Sequence, residues 1–209
     1  MMERRAVTVD FWFDPVCPYS WTASRWLHEV GRRRPLVVRH HVMSLYLANE
    51  HRTDVAADYR RTVEATRGPA RVATAAATRF GEEVLGDLYT AFGELVFDEW
   101  RRPSAQQYRE VLRVALPRVG LPLDLEDAME SEEHDAAMRT SHEAGVALVG
   151  SEVGTPITSI EGVAFFGPVL NAIPRGAEAE DVFEGARLLA RYPQFFELKR
   201  TRERPPVFT

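Results

Sequence analysis

Apolar and polar residues follow two different periods along this chain, and its first part is predicted to be a strand, a helix and a strand. Residues 6–13 are rich in β-branched and aromatic side chains with partial alternation, which predicts a buried strand. A helical pattern then runs from Pro18, which suits a first helical turn, to a stop at Gly31. Residues 36–42 predict a second strand. A strand, a helix and a strand within about 40 residues form a βαβ unit, which favours parallel pairing.

The middle of the chain, from about residue 52 to residue 148, is predicted to be entirely helical because its apolar positions recur at helical spacing. Glycine and proline break this stretch into separate helices. The predicted helices are 54–66, 68–80, 82–98, 104–116 and 132–148, and the breaks are Gly68-Pro69, Gly81, Arg102-Pro103-Ser104 and Pro117 to Pro122. Four aromatic side chains suit either a core or an interface, since helical spacing fits both. They are Tyr89, Phe92, Phe97 and Trp100.

The pattern returns to short strands near the C-terminus. Residues 157–160 and 163–166 are predicted strands, and Glu161-Gly162 between them predicts a hairpin turn. Residues 177–191 predict a last amphipathic helix, and the tail from Tyr192 is rich in proline, arginine and phenylalanine.

The order of elements is therefore βαβ, a helical block, then ββα. At 209 residues the chain is one large domain or one domain with an insertion. We predict an α/β thioredoxin fold with an all-helical insertion between its two halves. The thioredoxin part is expected in residues 1–51 and 149–209, and the inserted helical domain in residues 52–148.

Composition and charge narrow the class of protein. Hydrophobic residues make up 45% and charged residues 27%, which is ordinary for a folded protein and excludes a disordered, collagen-like or coiled-coil chain. The net charge of -5 argues against nucleic acid or an anionic membrane as a partner. No apolar run approaches the roughly 18 to 20 residues of a membrane span. The start lacks the apolar region of a signal peptide, so we expect a cytoplasmic protein.

The chain has a single cysteine, Cys17, which excludes an internal disulfide and hence a disulfide-stapled secreted domain. A zinc site would need ligands other than thiolates, and no metal is expected. Lys199 is the only lysine among 26 basic residues. Together with frequent alanine, that bias indicates a GC-rich, actinobacterial genome.

Cys17 lies where the first strand ends and a helix begins, in the motif Cys17-Pro18-Tyr19-Ser20. Free N–H groups and the helix dipole favour a thiolate there, and cysteines so placed fall from a pKa of about 8.5 to roughly 3.5–7.5. This position predicts a nucleophile rather than a buried structural cysteine. Ser20 either donates a hydrogen bond to the thiolate or caps the helix. Tyr19 and Trp21 flank the sulfur and are predicted to border a substrate pocket. For Trp21, packing in the core is the alternative.

A second element is Gly154-Thr155-Pro156, just before a late strand. In a thioredoxin fold a cis-proline at this place lies beside the cysteine. The residue before it offers a backbone N–H and C=O to a thiol-bearing peptide or cofactor. By local sequence alone the pair also fits an ordinary trans turn, so the cis prediction depends on the fold.

These motifs resemble the DsbA-like thioredoxin superfamily and, more narrowly, the cytosolic mycothiol-dependent nitroreductases of actinobacteria. The match begins with Phe-Trp-Phe-Asp-Pro-Val-Cys-Pro and extends over essentially the whole chain. Its pieces are residues 11–18, 24–26, 43–45, 165–170, 173–176 and 196–202. The resemblance implies a low-molecular-weight thiol cofactor, mycothiol or a similar one, and a small electrophilic substrate.

The sequence departs from that family at one informative place. Members with full dithiol activity carry Cys-Pro-x-Cys, and here Ser20 replaces the second cysteine, so an internal disulfide cycle is excluded. Cys17 can then work as a monothiol that a second thiol resolves, or bind a thiol without covalent turnover. The segment also resembles kappa-class glutathione transferases and related isomerases, where Cys17 would take the place of the catalytic serine.

The leading hypothesis is a cytosolic thiol-dependent oxidoreductase with Cys17 as its nucleophile and a cleft between the thioredoxin core and the helical block. A kappa-like thiol S-transferase or isomerase is the alternative enzyme, and a redox-inactive thioredoxin-fold binding protein is the non-enzymatic one. Both a monomer and a homodimer are compatible with the sequence.

Several other polar residues receive weaker predictions. His51 can line the cleft, whereas Asp14 is expected to be a turn residue rather than a proton acceptor. His134 and His142 are two helical turns apart, too far for shared metal ligation, and are expected on a solvated face. Residues 200–204, with three arginines, are expected to be a charged tail.

Overall fold

A four-stranded mixed sheet has helices between its strands and after the last one. The computed structural model describes residues 5–53, 56–97 and 105–208. The strands are β1 Val7–Phe13, β2 Leu36–Val42, β3 Ile157–Ile160 and β4 Val163–Phe166. The α-helices are α1 Pro18–Gly31, α2 Leu45–Asn49, α3 Ala57–Phe80, α4 Leu85–Phe97, α5 Ala105–Arg118, α6 Asp135–Val149 and α7 Gly176–Ala190. Short 3-10 helices span Glu82–Val84 and Leu123–Met129.

The strand order in the sheet is β2-β1-β3-β4. β1 pairs with β2 in parallel, with Val9 opposite Val38, which confirms the predicted βαβ unit. β3 lies antiparallel to β1 and to β4. Glu161 and Gly162 both have positive φ, 51° and 85°, as a tight two-residue hairpin requires, and this confirms the predicted turn.

The predicted break at Gly68-Pro69 is wrong. A single 24-residue helix, α3, runs through it with Pro69 inside. Proline removes one helical hydrogen bond and crowds the preceding turn, so packing has to offset that cost. Gly68 is part of a close contact here, because a Cβ atom at this position would lie 2.8 Å from Met129 Cε. Tertiary packing against the Leu123–Met129 segment therefore outweighs the local break.

Other boundaries differ in smaller ways. α5 continues past Pro117 to Arg118, while Gly81 ends α3 with a φ of 91°, as predicted. Two elements were not predicted from the sequence, α2 and the 3-10 helix at Leu123–Met129. Ser44 caps the start of α2, because its side chain accepts a hydrogen bond from the Leu47 N–H. The predicted break at 102–104 and the aromatic residue Trp100 lie outside the described residues.

The helical segment, residues 57–149, shares one continuous hydrophobic core with the sheet and α1. Tyr89, Phe92 and Phe97 are buried in it, so these aromatic residues belong to the core. Contact between the two parts is close: a Cβ atom on Gly93 would lie 2.2 Å from the Trp21 ring. Among the described residues, no helix has both the length and the apolar character that crossing a membrane requires.

Candidate active site

Cys17 is the residue that immediately precedes α1, with extended backbone angles, and Pro18 occupies the first helical turn. Its carbonyl oxygen accepts the Trp21 N–H at 3.0 Å, which starts the helix. The thiol is almost completely buried, with 4% of the residue exposed. Its Sγ donates a hydrogen bond to the Thr155 carbonyl oxygen, 3.6 Å away. The sequence places these two residues 138 positions apart, and the fold joins them.

The peptide bond between Thr155 and Pro156 is cis, as the fold prediction requires. Thr155 contacts the motif through three groups. Besides the carbonyl at Cys17, its hydroxyl lies 2.6 Å from Ser20 Oγ and accepts the Asp14 N–H at 3.2 Å. We call Asp14, Cys17, Ser20 and Thr155 the cysteine corner. Three separate parts of the chain meet there: the end of β1, the first turn of α1 and the loop before β3.

The expected low pKa of Cys17 is wrong for this structure. Burial raises the pKa of the thiol to about 11, because a thiolate in this position loses its hydration. The N–H groups of Ser20 and Tyr19 and the Ser20 hydroxyl act in the opposite direction, as helix-start geometry predicts. A nearby Asp14 carboxylate adds to the increase by like-charge repulsion. The helix start is present, but desolvation outweighs it.

Asp14 has a larger part in this corner than a turn residue. One carboxylate oxygen accepts the Val16 N–H at 2.9 Å, which is the expected turn, and the other accepts the Leu45 N–H at 2.7 Å. The residue is fully buried, and within the described ranges no arginine, lysine or histidine forms an ion pair with it. Burial raises the pKa of this carboxyl to about 7. A carboxylate directly after the buried run 6–13 was the sequence signal for this role.

Tyr19 and Trp21, the two aromatic residues of the motif, have different environments. Tyr19 is half-buried at the surface, with the Arg202 guanidinium 5.2 Å above its ring. Trp21 is buried and stacks on Phe97, with ring centroids 5.3 Å apart. Trp21 therefore packs in the core and does not border an open pocket, which corrects the pocket-lining alternative.

The other predicted site residues are not gathered around the sulfur. Gly154 precedes Thr155, and a Cβ atom at this position would lie 3.9 Å from the Phe166 ring. His51 has a side chain that is 93% exposed and lies 3.4 Å from Glu50, with no described contact to the cysteine corner. His142, expected on a solvated face, is instead buried and accepts the Ser44 N–H at 3.4 Å.

An apolar cavity lies between the end of β1 and the helical segment, close to the motif. It is narrow and partly open to solvent, and it has almost no polar lining. Phe13 and Pro15 form one wall, and the helical segment supplies the rest, including Pro69, Tyr89 and Phe92. Among the described residues, no group of three metal-ligating side chains comes together.

The site geometry can now be set beside known proteins. Residues 16–200 match the family described as mycothiol-dependent nitroreductase Rv2466c. The chain belongs to this family. The matched range includes the Cys17 motif and the cis-proline, and it ends before residues 201–208. The family is named for its dependence on mycothiol, a low-molecular-weight thiol.

Individual relatives are more distant. The chain is 27% identical over 200 residues to uncharacterized protein Rv2286c of Mycobacterium tuberculosis, with 92% of this chain and 81% of that protein covered. The crystal structure of the probable DsbA oxidoreductase SCO1869 from Streptomyces coelicolor is 15% identical, with a TM-score of 0.54 and 94% of both chains covered. A 2-hydroxychromene-2-carboxylate isomerase is 14% identical with a TM-score of 0.56, covering 88% of this chain and 95% of the isomerase. The predicted DsbA-like thioredoxin fold is confirmed.

Proposed function

We propose that this protein is a thiol-dependent oxidoreductase in which Cys17 is the only catalytic sulfur. Its reductant would be mycothiol or a similar small thiol, and its substrate a small electrophile or a mixed disulfide. The observation that supports this most directly is the contact between Cys17 Sγ and the carbonyl of Thr155, directly before a cis-proline. We choose mycothiol as the small-molecule thiol in this proposal because the family is described as mycothiol-dependent.

Cys17 would work without a partner cysteine. The Cys17 thiolate attacks one sulfur of a mixed disulfide, so that a bond to Cys17 forms and the substrate thiolate leaves with the electron pair of the broken S–S bond. A second small thiol then attacks the sulfur bound to Cys17. That step returns Cys17 as a thiolate and releases a disulfide of the small thiol, so one thiol is oxidised for each substrate thiol released.

The corner also suits the binding of a thiol-bearing ligand. The described hydrogen bonds of Thr155 use its hydroxyl and its carbonyl oxygen, and none uses its amide. The Thr155 carbonyl oxygen lies beside the sulfur, and together with the Thr155 N–H it would pair with the backbone of an extended thiol compound. The neighbouring apolar cavity would receive an apolar substrate group once it widens.

Ser20 would orient the corner and stabilise the thiolate. Its hydroxyl is fully buried and forms a hydrogen bond of 2.6 Å with the Thr155 hydroxyl, and its contact to the sulfur lowers the pKa of Cys17. Because Cys17 is protonated at neutral pH in this structure, turnover requires that the sulfur be exposed to water or to a ligand before it loses its proton. We propose that this takes place in the cytoplasm, where thiols are kept reduced.

One observation favours a second candidate, a kappa-like thiol S-transferase or isomerase. A protonated Cys17 that donates a hydrogen bond to Thr155 is suited to orient another thiol without forming a covalent bond to it. The two candidates differ in whether Cys17 carries a mixed disulfide during turnover.

Intact mass spectrometry during turnover with mycothiol and a nitroaromatic or mixed-disulfide substrate separates these candidates. We expect one mycothiol adduct that dithiothreitol removes, and we expect Cys17→Ser to lose both the adduct and at least about a hundred-fold in rate. Ser24→Ala, a buried change in the same helix, is the matched control and keeps both. Turnover without an adduct supports the transferase or isomerase. Unchanged turnover in Cys17→Ser rules out a catalytic sulfur.

A further inference from the structure

The last residues of the chain return to the start of α1 and are held there. After α7 ends at Ala190, the described tail contains neither helix nor strand. The Val207 N–H donates to the Asn171 carbonyl oxygen at 2.8 Å, and the Asn171 side-chain amide donates to the Pro205 carbonyl oxygen at 3.2 Å. These two bonds fix the tail beside the segment that follows β4.

That segment is itself tied to the motif helix. The Thr22 hydroxyl donates a hydrogen bond of 2.9 Å to the Leu170 carbonyl oxygen, next to Asn171. The tail therefore lies over the first turns of α1, within reach of the residues that surround Cys17.

Two tail side chains contact that surface directly. The Arg202 guanidinium lies 5.2 Å from the centre of the Tyr19 ring, two residues beyond Cys17. The Phe208 ring lies 5.1 Å from Phe97, which stacks on Trp21. The tail thus covers the motif through Tyr19 and reaches the aromatic group behind it through Phe97.

We propose that residues 202–208 form a strap that closes the approach to Cys17 from the side of Tyr19 and must leave before a thiol reaches the sulfur. The sulfur is buried, yet any reaction at Cys17 requires access to it. The end of β1 and α1 belong to the continuous core and cannot separate without unfolding it. The contacts that hold the strap to the described residues include two hydrogen bonds, one exposed cation–π contact and one ring contact, and none of the described ones is an ion pair, so the strap opens more easily than the core.

Two further observations agree with a strap that controls access to Cys17 and takes no part in the reaction itself. The family match ends at residue 200, and residues 203–208 of the strap also lie beyond the sequence pieces that resemble the family. In the described part of the chain, the salt bridges involve neither Arg200, Arg202 nor Arg204, so no ion pair anchors the strap. The inference rests on the proposed function only in taking Cys17 as the sulfur to which access matters.

The test measures how fast iodoacetamide alkylates Cys17 in the full-length protein at pH 8, by intact mass. Because Cys17 is the only cysteine, the reaction reports on that sulfur alone. We expect the double variant Arg202→Ala/Phe208→Ala to react about ten-fold faster, since reactivity follows the population of the open form. The matched control is Arg204→Ala/Phe196→Ala, which removes the same side-chain types from exposed tail positions. It should react within two-fold of the wild type, about the scatter between measurements of this kind.

Urea midpoints of all three proteins accompany the rates. Faster alkylation of the strap variant with an unchanged midpoint supports the strap. An equal rate in the strap variant and the wild type overturns it, as does an equal gain in the control or a gain that follows a lowered midpoint. Iodoacetamide needs no mycothiol, so the strap can be refuted while the proposed thiol chemistry stands, and the mycothiol adduct can be absent while the strap is supported.

Discussion

Asp135 in the helical segment and Asp14 at the end of β1 are both carboxylates with polar partners inside the protein, but their partners differ in charge. Arg71 donates to both oxygens of Asp135 at 2.7 Å, and Arg67 adds a third bond at 2.6 Å. These bonds, with that of Arg71 first, lower the pKa of Asp135. Asp14 receives only backbone N–H groups, and burial raises its pKa to about 7.

The contrast separates a region that stabilises the fold from the proposed active site. In the helical segment, the desolvated carboxylate of Asp135 is paired with arginine side chains, and such pairing offsets the cost of burying a charge. In the cysteine corner, a carboxyl and a thiol lie near each other without a cation among the described residues; burial raises the pKa of both, and an ionised Asp14 further hinders ionisation of Cys17. Buried ionisable groups with strongly shifted pKa values are common at sites of proton transfer.

The largest expected effect comes from removing the charge of Asp135. Asp135→Asn leaves Arg71, with a side chain only 6% exposed, with no anion nearer than Glu132 at 3.8 Å among the described residues. We expect a loss of about 2–4 kcal/mol in the free energy of unfolding, less than for a fully buried pair because Asp135 is partly exposed. Urea denaturation measures it. Asp124→Asn, which breaks the exposed pair with Arg79, should cost below about 1 kcal/mol, and an equal cost for both variants would contradict the structural role of Asp135.

Asp14→Asn tests the other half of the comparison through pH. The folded protein holds the Asp14 proton up to about pH 7, whereas the unfolded chain releases it near 3.8. Between these values the folded state binds more protons, so the contribution of Asp14 to stability is full at low pH and falls as pH rises. We expect the wild-type stability minus that of Asp14→Asn to fall by about 1.4 kcal/mol per pH unit from roughly pH 5 to pH 6.5.

The unfolding free energies of the wild type and Asp14→Asn have to be subtracted, because His40 changes stability over the same pH range in the opposite direction. Burial lowers the pKa of His40 to about 4, so its contribution to stability rises with pH over this window. Both proteins contain His40, and its effect cancels. A flat difference curve would mean that Asp14 titrates as an ordinary exposed carboxyl.

The same two regions differ in how well the sequence predicts them. The strands, α1 and the hairpin turn follow from local patterns, since β-branched runs, Pro18 and Glu161-Gly162 each act within a few residues. In the helical segment the helical character was predictable, but the continuation of α3 through Pro69 was not. Packing of Gly68 against Met129, 61 positions later in the chain, decides it.

For the site, the sequence identifies which residues carry the chemistry but not how exposed they are. Cys17, Ser20 and Thr155 meet as the fold prediction implied. The thiol pKa was predicted in the wrong direction because local sequence describes the helix start and not the burial of the sulfur. The position of His51 depends on the packing of α2, an element that no pattern predicted.

Ser20→Ala has the smallest expected effect and tests whether the Ser20 hydroxyl stabilises the Cys17 thiolate. Its hydroxyl contact lowers the pKa of Cys17, so its removal should raise that pKa and reduce the thiolate fraction. One hydrogen bond of about 1 kcal/mol corresponds to less than one pKa unit, so alkylation of Cys17 at pH 8 should slow by less than about ten-fold. Ser24→Ala, whose hydroxyl bonds to the Trp21 carbonyl oxygen instead, should leave the rate unchanged. Faster alkylation in Ser20→Ala would mean that Ser20 shields the sulfur through its bond to Thr155 and does not stabilise the thiolate.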